Sequence, residues 1–500
     1  MSYLMGVDVG TQSVRAMIIE AEGKVRALEA ASYEISIPRP GFAEQNPEAW
    51  YAQTAHVIAR ALDSSGLSPE DISAVGFSGQ MHGLVCVDEG GRPVRDAILW
   101  LDQRAREDIL RIYDLCGNDF VARQVQNKIS AGFLLGSLYW LFLHEPQTYR
   151  RIHKVMTPKD YVRYRLTGKI AVDYSDAAGT AAFDNLKLEW AYPLIEKLGL
   201  DPSLFPECLP SSQVAGRVTR EAALDTGLSE RTVVVCGGAD QCMQSIGNGI
   251  VEEGIFACNI GTAGQISACS KKPVYDKELR TNTFSHALPG RWNIMGACLA
   301  SGVSLKWFVK SIIGAESFTA VDSEAQKIKP GSDGLIFLPY LAGERTPHLD
   351  AAARGMFCGL TLGHGKYHMA RAVMEGVCYS LKDCMGLLTD MGLCCHRVVA
   401  SGGGSNSPLW LQMQADILER TIYKSNVTEQ ACLGAAIAAG VGSGVYSGFH
   451  EACGRLISLG DRVYSPIPEN VETYNACYKI FRDLYAHNKD SFHELSRLSS

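Results

Sequence analysis

The chain has 500 residues, 46% hydrophobic and 20% charged, which allows two to four domains at roughly 150 residues each and excludes a small disulfide scaffold or a disordered tail protein. Its formal charge of −7, from 47 Lys+Arg against 54 Asp+Glu spread along the chain, gives no basic footprint for a phosphate backbone, so no nucleic-acid partner is expected. Met1 to Asp8 has no signal-peptide pattern, and no uncharged apolar run reaches the roughly 18 residues of a bilayer span. The expectation is a cytoplasmic protein with no membrane partner.

In chain order, Leu4 to Asp8 reads as a strand, Gly10 to Ser13 as a turn and Val14 to Ile19 as a second strand. A turn at Glu22 to Lys24 leads to another extended run, completing a β-meander. A helix is predicted from Pro47 to Leu62, with Asn46 as N-cap, Pro47 at the first position and Glu48 in the first turn. Ile72 to Phe77 is a short apolar strand that delivers Ser78, Gly79 and Gln80 at its carboxyl end. Thr232 to Cys236 is a strand before the glycine turn Gly237-Gly238-Ala239-Asp240. Pro408 to Leu418 has a helical pattern, and Leu433 to Val445, rich in Gly and Ala, reads as a closely packed helix in a core. The sixteen cysteines include no Cys-x-x-Cys pair and sit mostly in apolar company, so they read as buried small hydrophobes in a reducing compartment. Adjacent Cys394 and Cys395 read as a turn with one exposed thiol.

An internal repeat changes the picture. At an offset of 251 residues, Val7-Asp8-Val9-Gly10-Thr11 aligns with Cys258-Asn259-Ile260-Gly261-Thr262, and each half carries a later strand ending in glycine, at Gly79 and Gly402. A duplicated α/β domain follows, divided into residues 1–247 and 248–500.

A hairpin that turns at Gly10 and Thr11 exposes backbone N–H groups and a hydroxyl to a phosphate. Two such hairpins facing each other, the second at Gly261 and Thr262, would grip a nucleotide's phosphates, with Asp8 holding a bridging Mg²⁺ and Arg15 supplying a cation. Asp240 at a turn tip suits a general base for an attacking hydroxyl, or else an N-cap for the helix near Cys242. Gln80, Met81 and His82 read as a sugar contact, with a structural histidine as the alternative. Trp100 and Asp102 read as a wall of the same pocket, or as a core tryptophan beside a surface salt bridge. Gly402, Gly403, Gly404 and Asn406 permit close approach of an adenine ring, or form a plain loop.

These stretches, together with Pro158-Lys-Asp-Tyr161, Ser175-Asp-Ala-Ala-Gly-Thr180, Leu338 to His348 and Leu433-Gly-Ala-Ala436, resemble the FGGY carbohydrate kinases over nearly the whole sequence. The resemblance implies two actin-like, ribonuclease-H-type domains with ATP and sugar in the cleft between them. It implies ATP and Mg²⁺ as cofactors and phosphoryl transfer to a primary hydroxyl of an open-chain sugar. By that similarity Asp240 is the base and Asp8 the metal-side carboxylate. Gln80, Met81, His82, Trp100, Asp102 and Gln241 would contact sugar, and Gly10, Thr11, Gln12, Arg15, Gly261, Thr262, Gly302, Gly402, Gly403, Gly404 and Asn406 would contact ATP. The Met81-His82 pair favours a ketopentose such as D-xylulose, and homodimers are common among such proteins.

Three positions depart from the family pattern: Ser137 where a lysine is common, Leu101 where asparagine often precedes Asp102, and Gln241 where asparagine is usual. Loss or displacement of a hydrogen-bonding group near the sugar alters discrimination. Another pentulose (L-xylulose or ribulose) or a sugar alcohol therefore stands as an alternative acceptor, and a non-catalytic sugar or nucleotide sensor as the rival from another class.

Overall fold

The computed structural model describes residues 2–314 and 317–498. Its architecture is α/β, with two seven-stranded sheets. In the first, β1 (Tyr3–Val9), β2 (Ser13–Glu20) and β3 (Val25–Ser32) form the antiparallel meander. Helix α1 (Pro47–Ser65) crosses over to β4 (Ile72–Gly79), which lies parallel to β1 on its other side. Outside β4 lie β6 (Val233–Val235) and then β5 (Val214–Arg217), and the short β7 (Gly238–Ala239) prolongs the pairing along β4. The start of α1 follows its sequence signals: Asn46 Oδ1 accepts the Glu48 N–H at 2.9 Å with Pro47 in the first turn. The helix runs three residues past the predicted end, to a left-handed Gly66. β1 is buried along its whole length, which is why it reads as a nearly unbroken apolar run.

The second sheet repeats this plan. Its central pair is β8 (Gly254–Ile260) and β9 (Gly264–Ser270), flanked on one side by β11 (Trp292–Cys298) and β10 (Asn282–Ser285), and on the other by β12 (Cys395–Ser401), β13 (Thr421–Ser425) and β14 (Leu459–Tyr464). The order β11-β9-β8-β12-β13-β14 corresponds to β3-β2-β1-β4-β6-β5, with β10 as one added edge strand. From Tyr3 to Gly254 and from Val9 to Ile260 the step is 251 residues, and the registers agree, with Asp8 opposite Ser78 and Asn259 opposite Ser401.

Two features bind the halves. Helix α8 (Gln430–Gly442), late in the sequence, lies on β1 and β4 of the first sheet and crosses α4 (Asp240–Gly247). Glycine makes that approach possible, because a Cβ on Gly6 or Gly76 would sit 1.9 or 2.0 Å from the carbonyl oxygens of Cys432 and Ala435. The second feature is the edge strand β10, whose backbone is answered by side chains of the first half. Asn127 accepts the Thr283 N–H at 2.9 Å and donates to the Thr283 carbonyl at 2.7 Å, while Asn185 accepts the Ser285 N–H at 3.0 Å. Two buried amides thereby cap an edge that would otherwise be open.

Candidate active site

Ligands of α/β sheets gather at the carboxyl ends of parallel strands. Here Val9 of β1 and Ala239 of β7 both lie opposite Gly79 of β4, so Asp8, the segment from Gln80 to His82, and Asp240 emerge at one level. Asp240 is the first residue of α4, and the N-cap position before it is held by Ala239. Its Oδ1 is buried without a partner. Burial raises the carboxyl to about 7, the negative charge of Asp8 adds to the rise, and the Gln241 N–H works against it. A carboxyl poised there exchanges a proton readily near neutral pH. Asp8 is also raised by burial, with the Ser78 hydroxyl and the Arg15 charge acting the other way, and its Oδ1 has no partner. Arg15 lies 4.0 Å from Asp8 through Nη1 and 3.5 Å from Glu429 through Nε.

Asp240 lines a cavity of about 400 Å³ with Thr11, Met81, His82, Trp100 and Gln241 from the first half and Gln265, Asn282, Phe284 and Arg345 from the second. His82 adopts a left-handed φ of 74°. Its Nδ1 lies 2.5 Å from the Gly179 carbonyl, and its ring stacks on Phe133 at 3.9 Å between centroids. A carbonyl can only accept, so Nδ1 carries the proton and Nε2 is left as an acceptor. Burial pushes the imidazole down to about 4, which keeps it neutral. Trp100 stands 43% exposed on the wall, its Nε1 donating to the Thr11 hydroxyl at 3.0 Å.

A second cavity, of about 450 Å³, adjoins the first at Gly261 and Thr262, which line both. It is bounded by Gly302 and Lys306, by Phe318 and Asp322, and by Gly403, Gly404, Asn406 and Trp410. Gly302 presses on the hairpin, its N–H donating to the Gly261 carbonyl at 2.9 Å. Gly402 is held against Asn259 and Ile260 with φ of 77°, where only a residue without Cβ fits. The exposed Asn406 accepts from Lys424 at 3.3 Å.

The structure departs from the sequence expectations at several residues. Asp102 does not face the cavity: it is buried, accepting the Ala43 N–H at 2.7 Å and pairing with Arg104 at 2.8 Å. Arg104 also reaches Glu44 at 2.6 Å, and both oxygens of Asp102 are engaged, Oδ1 by the Arg104 backbone N–H and Nε and Oδ2 by Ala43 and Arg104 Nη2. Gln80 is likewise buried, its amide turned to Gln45 and the Gly10 carbonyl at 3.4 and 3.5 Å. The first hairpin does not border the second cavity. Gly10 closes its own turn onto Ser13, Thr11 belongs to the Asp240 cavity, and Gln12 is exposed. Ser137 is buried in the core, and Leu101 is exposed beside Trp100. Sequence reasoning missed Phe133, Asn282, Phe284 and Arg345. Arg345 is positioned by its Nη2 bond to Asn282 at 2.9 Å and by its backbone N–H on Glu344 at 2.6 Å.

Two actin-like sheets around paired cavities, one with a neutral-range carboxyl and the other bounded by glycine turns, define a sugar kinase. The chain belongs to the FGGY family of carbohydrate kinases: the family model "FGGY family of carbohydrate kinases, N-terminal domain" matches residues 3–247, and the C-terminal domain model matches residues 256–443. It is 35% identical over 490 residues to a xylulose kinase of Bacillus subtilis, covering 98% of both chains. A gluconokinase of the same organism is 31% identical, over 97% of this chain and 95% of its own. Among solved structures, a ligand-bound xylulose kinase from Lactobacillus acidophilus superposes with a TM-score of 0.94 at 25% identity, over 99% of this chain and all of the other.

Proposed function

We propose that the protein is an ATP-dependent pentulose kinase that transfers the γ-phosphoryl group to the primary hydroxyl of D-xylulose in its open-chain form, giving D-xylulose 5-phosphate. The observation that carries this reading is Asp240, a buried carboxyl raised to about 7 with its Oδ1 unpartnered, on the wall of an acceptor cavity that meets a second cavity at Gly261 and Thr262. The likeness to xylulose kinases supports the choice of sugar.

In this reading the acceptor lies between Trp100, Met81 and His82, with His82 Nε2 accepting from a sugar hydroxyl and Arg345 donating to a sugar oxygen. Asp240 takes the proton of the primary hydroxyl as its oxygen bonds to the γ-phosphorus and the bond to the ADP oxygen breaks. The second cavity takes the nucleotide, with the Thr262 hairpin at its phosphates and the Gly402 to Asn406 turn at its base. The buried, orphaned Oδ1 of Asp8 fits a divalent cation, so Asp8 would hold Mg²⁺, which supplies charge neutralisation at the phosphates. Residues 1–247 and 248–500 act as the two domains, and the family matches that end at 247 and resume at 256 support this division. The reading includes a cytoplasmic location; among the described residues no helix is long and apolar enough to cross a membrane.

The test is Mg²⁺-dependent ADP release from the purified protein with D-xylulose, L-xylulose, ribulose, xylitol, glycerol and gluconate. A kcat/KM highest for D-xylulose supports the assignment. A higher value for another acceptor moves it, and no turnover with any of them rejects it.

A further inference from the structure

We infer that Lys159, Asp173 and Ser175 form a buried relay that positions the peptide carrying Asp240 and, through one carbonyl, the His82 ring. The inference rests on Asp240 being the base. It gives a role to two segments that line neither cavity, Pro158 to Tyr161 and Ser175 to Thr180.

Lys159 lies in helix α2 (Pro158–Thr167) and is fully buried. Its Nζ stands 2.6 Å from Asp160, 2.9 Å from Asp173 and 3.1 Å from Asp176. Those three carboxylates are close enough to hold a cation, and the ammonium takes that place. Arg163 adds a second positive charge 3.3 Å from Asp160. Buried ion clusters of this kind add little stability over apolar packing, but removing one member strands the others, so the cluster favours one geometry.

Asp173 passes that geometry on. Its Oδ1 meets Lys159, while its Oδ2 accepts from the hydroxyls of Ser175 at 2.5 Å and Ser211 at 2.8 Å. A hydroxyl has a single proton. Having given it to Asp173, Ser175 Oγ acts as acceptor for the Ala239 N–H at 2.9 Å. Ala239 directly precedes Asp240. A second branch leaves from the same carboxylate: Asp173 caps helix α3 (Tyr174–Ala178), and the next carbonyl, Gly179, holds His82. The stem of Lys159 also lies under Gly79, where an added Cβ would come within 2.6 Å of it. One ammonium therefore underlies the segments that carry both the proposed base and the sugar-facing histidine. Reactive geometry is steep in distance, since about 1 Å of misplacement costs on the order of 100-fold in rate.

Ser175→Ala and Ser211→Ala separate positioning from stability. Each removes one hydroxyl donor from the same Asp173 oxygen, but only the first frees the Ala239 peptide. In the full-length protein with Mg²⁺, ATP and D-xylulose, Ser175→Ala is expected to lower kcat at least roughly 30-fold relative to Ser211→Ala, a fraction of the cost of full misplacement. Its KM for D-xylulose should stay within about threefold, and the two variants should share similar thermal midpoints. Ser175→Cys, which replaces the accepting oxygen with a weakly accepting sulfur, gives the same readout if Ser175→Ala does not fold. Equal kcat in the two serine variants, or a KM increase at constant kcat, overturns the relay. Asp240→Asn is measured alongside: retained turnover there overturns the base and the relay together, whereas its loss with matched serine variants overturns the relay alone.

Discussion

Gln265 donates from Nε2 to Oε1 of Gln241 at 2.5 Å, joining β9 of the second sheet to the helix that begins with Asp240. An asparagine at this position, one methylene shorter, would draw its amide back from Gln265. Gln241→Asn should break this bond and raise the KM for the acceptor several-fold. A neutral hydrogen bond contributes about 0.5 to 1.5 kcal/mol, so Gln241→Asn and Gln265→Ala should each cost about that in kcat/KM, and the double variant little more than either single one. Steady-state kinetics of all four proteins checks this, with full additivity as the contrary result.

The raised Asp240 carboxyl sets a pH dependence. A base must be unprotonated, so kcat/KM should fall as pH drops through about 7. Asp240→Asn should remove at least about 100-fold of the rate. Stability has its own sign: the folded carboxyl binds its proton more tightly than the unfolded one, whose value is 3.8, so its contribution to stability is present at low pH and lost as pH rises to about 7. Asp240→Asn should therefore be more stable than the parent at pH 8, by an amount on the order of a few kcal/mol, and no more stable near pH 4. Thermal melts at the two pH values decide it.

His82 is a tempting second owner of that acid limb, but burial holds it down to about 4 and Nδ1 is committed to Gly179. His82→Asn should thus leave the midpoint of the limb unchanged while raising the acceptor KM. Phe133→Ala, which removes the stacking partner, should raise KM in the same way. A limb that moves in His82→Asn would transfer the titration to the histidine.

The parts of this molecule readable from its sequence are those where chemistry is local. The 251-residue offset locates both hairpins because Asp8 to Thr11 and Asn259 to Thr262 each fold through near neighbours. Pro408 to Leu418 is legible to the residue, since Ser407 and Pro408 mark its start and an apolar face sustains it. Asp102 is misplaced by sequence reasoning because one of its partners, the Ala43 N–H, lies 59 positions away and no pattern announces it. Phe284 and Asn282 come from β10, the edge strand with no counterpart in the first half, so the repeat could not point to them. Arg345 had a signal, the Leu338 to His348 stretch, but its contact with Asn282, 63 positions away, appears only in the fold.

The crossing of α4 and α8 beneath the active site leads to the last prediction. A Cβ on Gly434 would lie 2.0 Å from the Met243 carbonyl oxygen, and one on Gly76 the same distance from that of Ala435. Neither neighbour is a flexible side-chain end, so a backbone must move. Gly434→Ala should cost about 1 to 3 kcal/mol by overpacking, and should also lower kcat, because the displaced helix carries Asp240 at its first turn. Gly76→Ala pushes α8 from β4 instead and should cost comparable stability, with a smaller effect on kcat since the added Cβ meets α8 at Ala435 and Ala439 and not α4. Thermal melts and turnover of the two variants test the distinction; equal losses of kcat would mean that spacing at the helix crossing does not control the position of Asp240.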